Sequence, residues 1–288
     1  MSGLTHATGI NLVTKERWNF GGSAEFGKLR DSQTSAETKR KAAGIRLGYG
    51  RERIQFSSAV EYRRDDAEQP DTTLTKRTLL LFRNNFKLQL TPDWRMIGKL
   101  DHSISNSSLG EFFGGGYTEA VVGYAYRPVL HDRLSALVKY TYFYNVPTTD
   151  QFTAQNTAAE FIQKSHVGSL DLTYDLTSKW SIGGKYAHRL GEISLDRDQP
   201  QFFDSPAHLG VLRMDWRFLT GWESMAEVRM LELPDITQRN SGALAAIYRY
   251  LGKNLKVGAG YNFTNFSDDL TDLKYNHKGV FFNFIATK

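Results

Sequence analysis

From Trp94 onward the chain alternates. Met96, Gly98, Leu100 and His102 fall on one face of an extended strand, and Arg95, Ile97, Lys99 and Asp101 fall on the other. From Gly210, Leu212, Met214, Trp216 and Phe218 oppose Val211, Arg213, Asp215 and Arg217. From Leu255, Val257, Ala259, Tyr261 and Phe263 oppose Lys256, Gly258, Gly260, Asn262 and Thr264. A period of two with charge confined to one face describes a strand that is dry on one side and wet on the other. Such segments recur as hairpins of about 35 to 40 residues, with a tight turn at one end and a longer loop at the other. The tight turns lead into Trp18, Trp94, Trp180 and Trp222, or into an aliphatic residue at Ile54, Leu134 and Leu255. Candidate strands lie near residues 7–14, 18–29, 39–51, 54–65, 76–90, 94–104, 117–127, 134–144, 165–176, 180–191, 207–219, 222–232, 241–251, 255–265 and 278–287.

A soluble β-sandwich would also alternate. Two features favour a membrane barrel: the polar faces carry opposite charges in strand after strand, and apolar faces end in aromatics, as in Tyr140, Tyr142 and Tyr144. Short turns alternate with long loops, giving a short-turn rim and a long-loop rim. The expected fold is therefore all-β: an antiparallel transmembrane β-barrel of about 14–16 strands, with short periplasmic turns and longer extracellular loops, formed by residues 1–288 as a single domain in a bacterial outer membrane. The count of about 15 is odd, whereas bacterial single-chain barrels are normally even-numbered. The first strand then runs downward from the outer rim. The expectation is that the chain is the C-terminal part of a longer protein, with sequence before Met1 supplying at least one more strand.

Composition agrees with this. Mean hydropathy is −0.45, yet aromatics reach 13%, as alternation with interfacial girdles requires. No apolar run approaches the ~18 residues of a membrane helix. The absence of cysteine excludes disulfides and thiol chemistry. Met1-Ser2-Gly3-Leu4 has no signal-peptide character, so a leader has been removed or the chain is cut from a longer protein. The net charge of +5 is spread along the chain without any nucleic-acid motif, so nucleic acid is not an expected partner.

Several segments resemble a known family: Tyr124-Ala125-Tyr126-Arg127-Pro128, His131-Asp132-Arg133-Leu134, Lys139-Tyr140-Thr141-Tyr142, Tyr174-Asp175-Leu176-Thr177, Gly183-Gly184-Lys185-Tyr186, Ser241-Gly242-Ala243-Leu244, Gly260-Tyr261-Asn262-Phe263-Thr264 and, most specifically, the run from Phe266 to Leu273. Together they resemble the C-terminal outer-membrane barrel of large repeat-containing bacterial surface proteins, often labelled OmpA-like. The resemblance implies a membrane anchor or conduit for upstream passenger domains, contact with outer-membrane lipid and lipopolysaccharide, dependence on the barrel-insertion machinery, no cofactor and no catalytic residues. One departure is the ending Ala286-Thr287-Lys288, where such barrels usually end in an aromatic; Phe282 and Phe284 are the candidate equivalents.

Parity assigns the candidate lumen. Basic positions are Arg46, Arg63, Arg83, Lys87, Arg95, Lys99, Arg127, Lys139, Lys185, Arg189, Arg213, Arg217, Arg229, Arg249 and Lys256. Acidic positions are Glu25, Glu61, Asp101, Glu119, Asp171, Asp175, Asp215 and Glu227. The periplasmic aromatic girdle would be Trp18, Trp94, Trp180 and Trp222. The alternative to an anchor is a porin-like passive channel whose basic lumen favours anions; the alternative to an open lumen is one sealed by cross-strand ion pairs. The loop from Val146 to Gln163 either constricts the lumen or lies outside. A lipid-modifying enzyme is the remaining alternative, since His102-Ser103-Ile104-Ser105 resembles the His and Ser of outer-membrane phospholipase; parity, however, places both serines on the face opposite His102. Asp268, Asp269 and Asp272 match no calcium-loop spacing and read as a solvated acidic loop.

Overall fold

The computed structural model describes residues 2–14, 17–30, 37–68, 74–108, 116–129, 133–145, 162–195, 199–252, 254–270 and 278–286. They form β1 (Ser2–Val13), β2 (Trp18–Arg30), β3 (Glu37–Arg51), β4 (Ile54–Glu68), β5 (Leu74–Gln89), β6 (Trp94–Ser107), β7 (Tyr117–Tyr126), β8 (Leu134–Tyr144), β9 (Ile162–Asp175), β10 (Trp180–Ser194), β11 (Phe203–Asp204), β12 (Ala207–Leu219), β13 (Trp222–Leu233), β14 (Gln238–Leu251), β15 (Leu255–Asn262) and β16 (Gly279–Ala286). The order in the sheet is the order in the chain, each neighbour antiparallel, with two-residue β11 set aside on β10. The fifteen long strands are those anticipated from the alternation.

Side-chain chemistry sets the tight turns. The Thr91 hydroxyl accepts from the backbone N–H of Asp93 (3.3 Å) and Trp94 (3.1 Å), and Thr177 does the same for Lys179 (3.2 Å) and Trp180 (3.1 Å). Thr14 accepts from the Trp18 N–H at 3.3 Å. A hydroxyl three or four residues before the Trp thus satisfies amides left free by the reversal. Gly221, at φ 77°, supplies the left-handed residue that the two-residue turn into Trp222 needs. The opposite rim is less regular than the sequence suggests. β13 and β14 are joined by a single 3-10 turn, Pro234–Ile236, so β14 begins at Gln238 and one link of the long-loop rim is short.

The sheet is curled. Asp269, which follows β15, pairs with Lys139 of β8 at 3.2 Å, and Leu270 packs with Phe143, Val167, Ala187 and Leu209 of β8, β9, β10 and β12. Strands far apart in the ladder are thus bridged across one face, which is the concave one. Register carries that face around the sheet: Lys139 lies opposite Ser169, Asp171 opposite Lys185, Arg213 opposite Glu227, Arg83 opposite Asp101. The convex face carries the apolar set, including Phe20, Ile45, Leu100, Val138, Leu172, Met214, Val228 and Ile247, all exposed. A chain that leaves its large apolar residues on the outside is built for a lipid solvent.

The ladder has two ends. β1 pairs with β2, β16 pairs with β15, and among the described residues β1 and β16 do not pair with each other.

Aromatic side chains pack across strands in three groups on the convex side of the short-turn rim. Trp18 packs on Tyr49 (4.7 Å between ring centres), Trp94 on Tyr126 (4.8 Å) and Trp180 on Trp216 (5.0 Å, nearly parallel). Phe218 links Trp216 to Trp222. All five Trp residues therefore lie at one rim. In single-Trp variants reconstituted with brominated lipids, each should be quenched at a similar shallow depth. A Trp quenched from the bilayer centre would show that this register is wrong.

Candidate functional site

The register assigns each candidate to a face of the sheet. Arg46, Arg63, Arg83, Lys99, Lys139, Lys185, Arg213 and Arg229 are concave, as are Glu61, Asp101, Glu119, Asp171, Asp215 and Glu227. Arg217 stands at the short-turn rim, 4.0 Å from both Asp175 and Glu223. Arg249 is a correction. It lies opposite Trp222 on the convex face, with its guanidinium 4.8 Å from the Trp222 ring centre. On β14 the concave positions are the even ones, Leu244, Ala246 and Tyr248, so Arg249 points outward. A cation over an indole at headgroup height is well placed there, its stem against lipid and its charge in the polar zone.

The concave face divides into two unlike halves. Along β8 to β14 it is filled. The chain leaves the wall at Asn262 and turns inward. The Phe263 N–H donates to the Ala243 carbonyl at 2.9 Å, and the Thr264 hydroxyl donates to the same carbonyl at 3.1 Å. Phe266 and Leu270 then pack against Phe143, Val167, Ala187, Ala207, Leu209 and their neighbours. Buried Arg189 donates to the Leu270 carbonyl at 3.3 Å and to Ser205. The wall beneath is small: Ser165, Ala187, Gly191 and Gly242 leave room that larger side chains would occupy. Each apolar anchor is worth about 1.5–3 kcal/mol if fully buried, enough with the Lys139–Asp269 pair to hold the segment in place.

Much of the charge in this half is paired, although buried Arg189 has no carboxylate partner among the described residues. Arg213 pairs with Asp215 at 2.7 Å, and Arg229 pairs with Glu227. Lys256 pairs with Glu223 at 2.9 Å, which also accepts from the Tyr250 hydroxyl. Between the halves, on β6 and β7, Lys99 bridges Asp101 (3.3 Å) and Glu119 (2.7 Å).

Along β1 to β5 the concave face is open. Gly9, Gly21, Ser23, Gly44 and Ala59 form a shallow floor, and with Arg46, Glu61 and Arg83 they line a cavity of about 300 Å³. Charge here is not balanced. Arg40, Arg46, Arg63, Arg77, Arg83 and Lys87 face Glu25, Glu61 and Asp65. Arg40 and Arg63 share the single Asp65, at 2.8 and 3.4 Å. Arg83 reaches Glu61 only at 3.7 Å, with both side chains largely exposed. Arg46 makes no ion pair among the described residues.

The sequence reading missed Arg40, Arg77, Asp65 and Glu223, all of which the same parity would have found. The expectation of a solvated acidic loop at Asp268, Asp269 and Asp272 also needs correction. Asp269 is instead an interior ion-pair partner of Lys139, and the signal is Phe266 and Leu270, an apolar content a solvated loop does not need. Asp272 and most of the loop from Val146 to Gln163 lie outside the described residues. His102 and Ser103 sit on opposite faces of β6: His102 contacts the Thr118 hydroxyl at 2.9 Å on the convex side, and Ser103 is buried on the concave side. They form no nucleophile–base pair. Among the described residues no three His, Asp or Glu are grouped to hold a metal ion.

No protein-family model matches the chain, and no curated protein matches its sequence. Solved structures do match. The ferric citrate transporter FecA in its unliganded form is 13% identical with a TM-score of 0.56, over 90% of this chain and 48% of that one. The copper transporter OprC is 10% identical with a TM-score of 0.56, over 90% of this chain and 51% of that one. The chain thus spans about half the length of each. At such identities the likeness is one of fold, and the fold is that of a bacterial outer-membrane β-barrel.

The root of the inward segment gives a test. A Cβ on Gly242 would lie 2.3 Å from the Thr264 hydroxyl and 2.6 Å from its methyl, so one of them must shift. Gly242→Ala should cost about 1–3 kcal/mol of unfolding free energy, the usual effect of overpacking, and should make Thr264 and Leu270 more accessible to footprinting reagents. Unchanged stability and accessibility would mean that Gly242 does not hold the segment.

Proposed function

We propose that the barrel is a passive diffusion channel of the outer membrane whose conducting path runs along the concave face of β1 to β5 and favours anions. The observation that carries this reading is the unequal division of the interior. In the half filled by Phe266 and Leu270, Lys139, Arg213, Arg229 and Lys256 each have a carboxylate partner, whereas the open half holds basic residues in excess of acidic ones. Fixed charge of one sign beside a water-filled path raises the local concentration of the opposite ion. Small anionic solutes are the substrates this lining suits. The convex cations above the apolar band, among them Lys39, Lys41 and Arg64, suit the phosphates of lipopolysaccharide, and folding through the barrel-insertion machinery follows from the fold class.

The earlier reading, an anchor or conduit for a larger OmpA-like surface protein, draws support from the filled half, since an anchor needs no open path. Planar bilayers separate the two. Under a KCl gradient the protein should conduct, with the sign of its reversal potential reporting chloride as the more permeant ion. Arg46→Glu combined with Arg83→Glu should move that potential toward potassium. Potassium preference in the unaltered protein would refute the basic path. A folded, inserted barrel without conductance would support the anchor.

A further inference from the structure

The two strands at the ends of the ladder differ in kind from those between them. β1 reads SGLTHATGINLV and β16 reads GVFFNFIA. Neither contains Lys, Arg, Asp, Glu or Pro, whereas each of the thirteen other long strands carries at least one charged residue. Exposed edges in stable β-proteins are normally blunted by charge or proline, because a bare edge offers unpaired N–H and C=O groups to any passing strand. Here the edges carry none of that protection. Ile10, Phe282 and Phe284, at 71%, 70% and 77% exposure, are among the most exposed large apolar side chains of the barrel.

Direction narrows what can pair there. Fifteen strands in unbroken antiparallel order leave β1 and β16 running the same way, from the long-loop rim to the short-turn rim. Direct closure would be parallel, against the pattern of bacterial membrane barrels. A second copy inserted in the same orientation presents the same two downward edges and meets the same objection.

We propose that the seam between β1 and β16 receives one further strand, running upward, from polypeptide that is not a copy of this sheet. Its chemistry follows from its neighbours. It is about as long as the edges it joins, 12 residues in β1 and 8 in β16. Alternate residues are apolar, to continue the convex row of Ile10, Leu12, Phe282 and Phe284. The residues between are mixed, to continue the concave row of Gly9 and Asn11 on β1 and of Phe281, Asn283 and Ile285 on β16. One upward strand is antiparallel to both edges and makes the count even.

The chain has no cysteine, so engineered ones report without background. The 288-residue protein is refolded in detergent, with heat-modifiable migration as the check on folding. The probe is a peptide copying Trp94–Ser105, an upward strand of this barrel with the required alternation; a scrambled peptide of equal composition is the control. The copied peptide should slow hydrogen exchange of the β1 and β16 amides by about tenfold or more, and the scrambled one should not. A strand between the edges keeps them roughly two spacings, about 9–10 Å, apart. With the copied peptide bound, Asn11→Cys with Asn283→Cys, and Ala7→Cys with Phe281→Cys, should then form no disulfide within one chain. A disulfide within one chain would overturn the proposal in favour of self-closure, and disulfide dimers of the single-cysteine variants would overturn it in favour of a second copy. Absence of protection by the alternating peptide in the folded protein would also overturn it.

Discussion

Every feature of this molecule answers to one requirement, that backbone N–H and C=O groups in hydrocarbon must be paired within the protein. A free amide or carbonyl there costs several kcal/mol, which leaves the continuous antiparallel ladder as the available way for these strands to cross. The ladder fixes the pleat, and the pleat sends alternate side chains to lipid and to the interior. Outer chemistry across the apolar band is then mainly Leu, Ile, Val, Met and aromatic. Inner chemistry is free to vary, and it is there that the chain differs from one side to the other.

That variation is organised by a single departure from the wall. β15 ends at Asn262, and the residues after it cross the interior to β8. Where the segment lies, the wall is small and most charges are matched; where it does not reach, glycines leave space and arginines remain in excess. The two halves are one arrangement, because a buried charge needs a partner while a solvated one does not. Glu223 illustrates the filled side, where it holds Lys256, Tyr250 and a distant Arg217 together. Arg46 illustrates the open side.

The fold was legible in the sequence because a period of two survives wherever lipid faces one side, and because Thr and Trp mark the turns. The strand list needed adjustment mainly where other forces intervene. β14 begins earlier than expected because a 3-10 turn replaces a loop, and β15 ends earlier because Thr264 is drawn inward onto Gly242. The faces of Lys99, Asp101, Arg213 and Glu227 followed from parity. Arg249 did not, because a charge near a rim can be solvated from either face, so charge alone does not mark the inside there. Least legible was the inward segment. Its anchors, Phe266 and Leu270, have no strand period to declare them, and their partners come from strands far away in the chain.

The short wall beside that segment also acts on the membrane. β15 and β16 are eight residues each, while β9 and β14 have fourteen. At about 3.3 Å per residue and a tilt of about 40°, eight residues rise only ~20 Å, less than the ~25 Å apolar band such barrels usually present. A wall shorter than the apolar band is accommodated at a cost of fractions of a kcal/mol per Å of mismatch. The described strands therefore form an uneven wall, and β16, one of its two shortest long strands, is also one of its two uncharged edges.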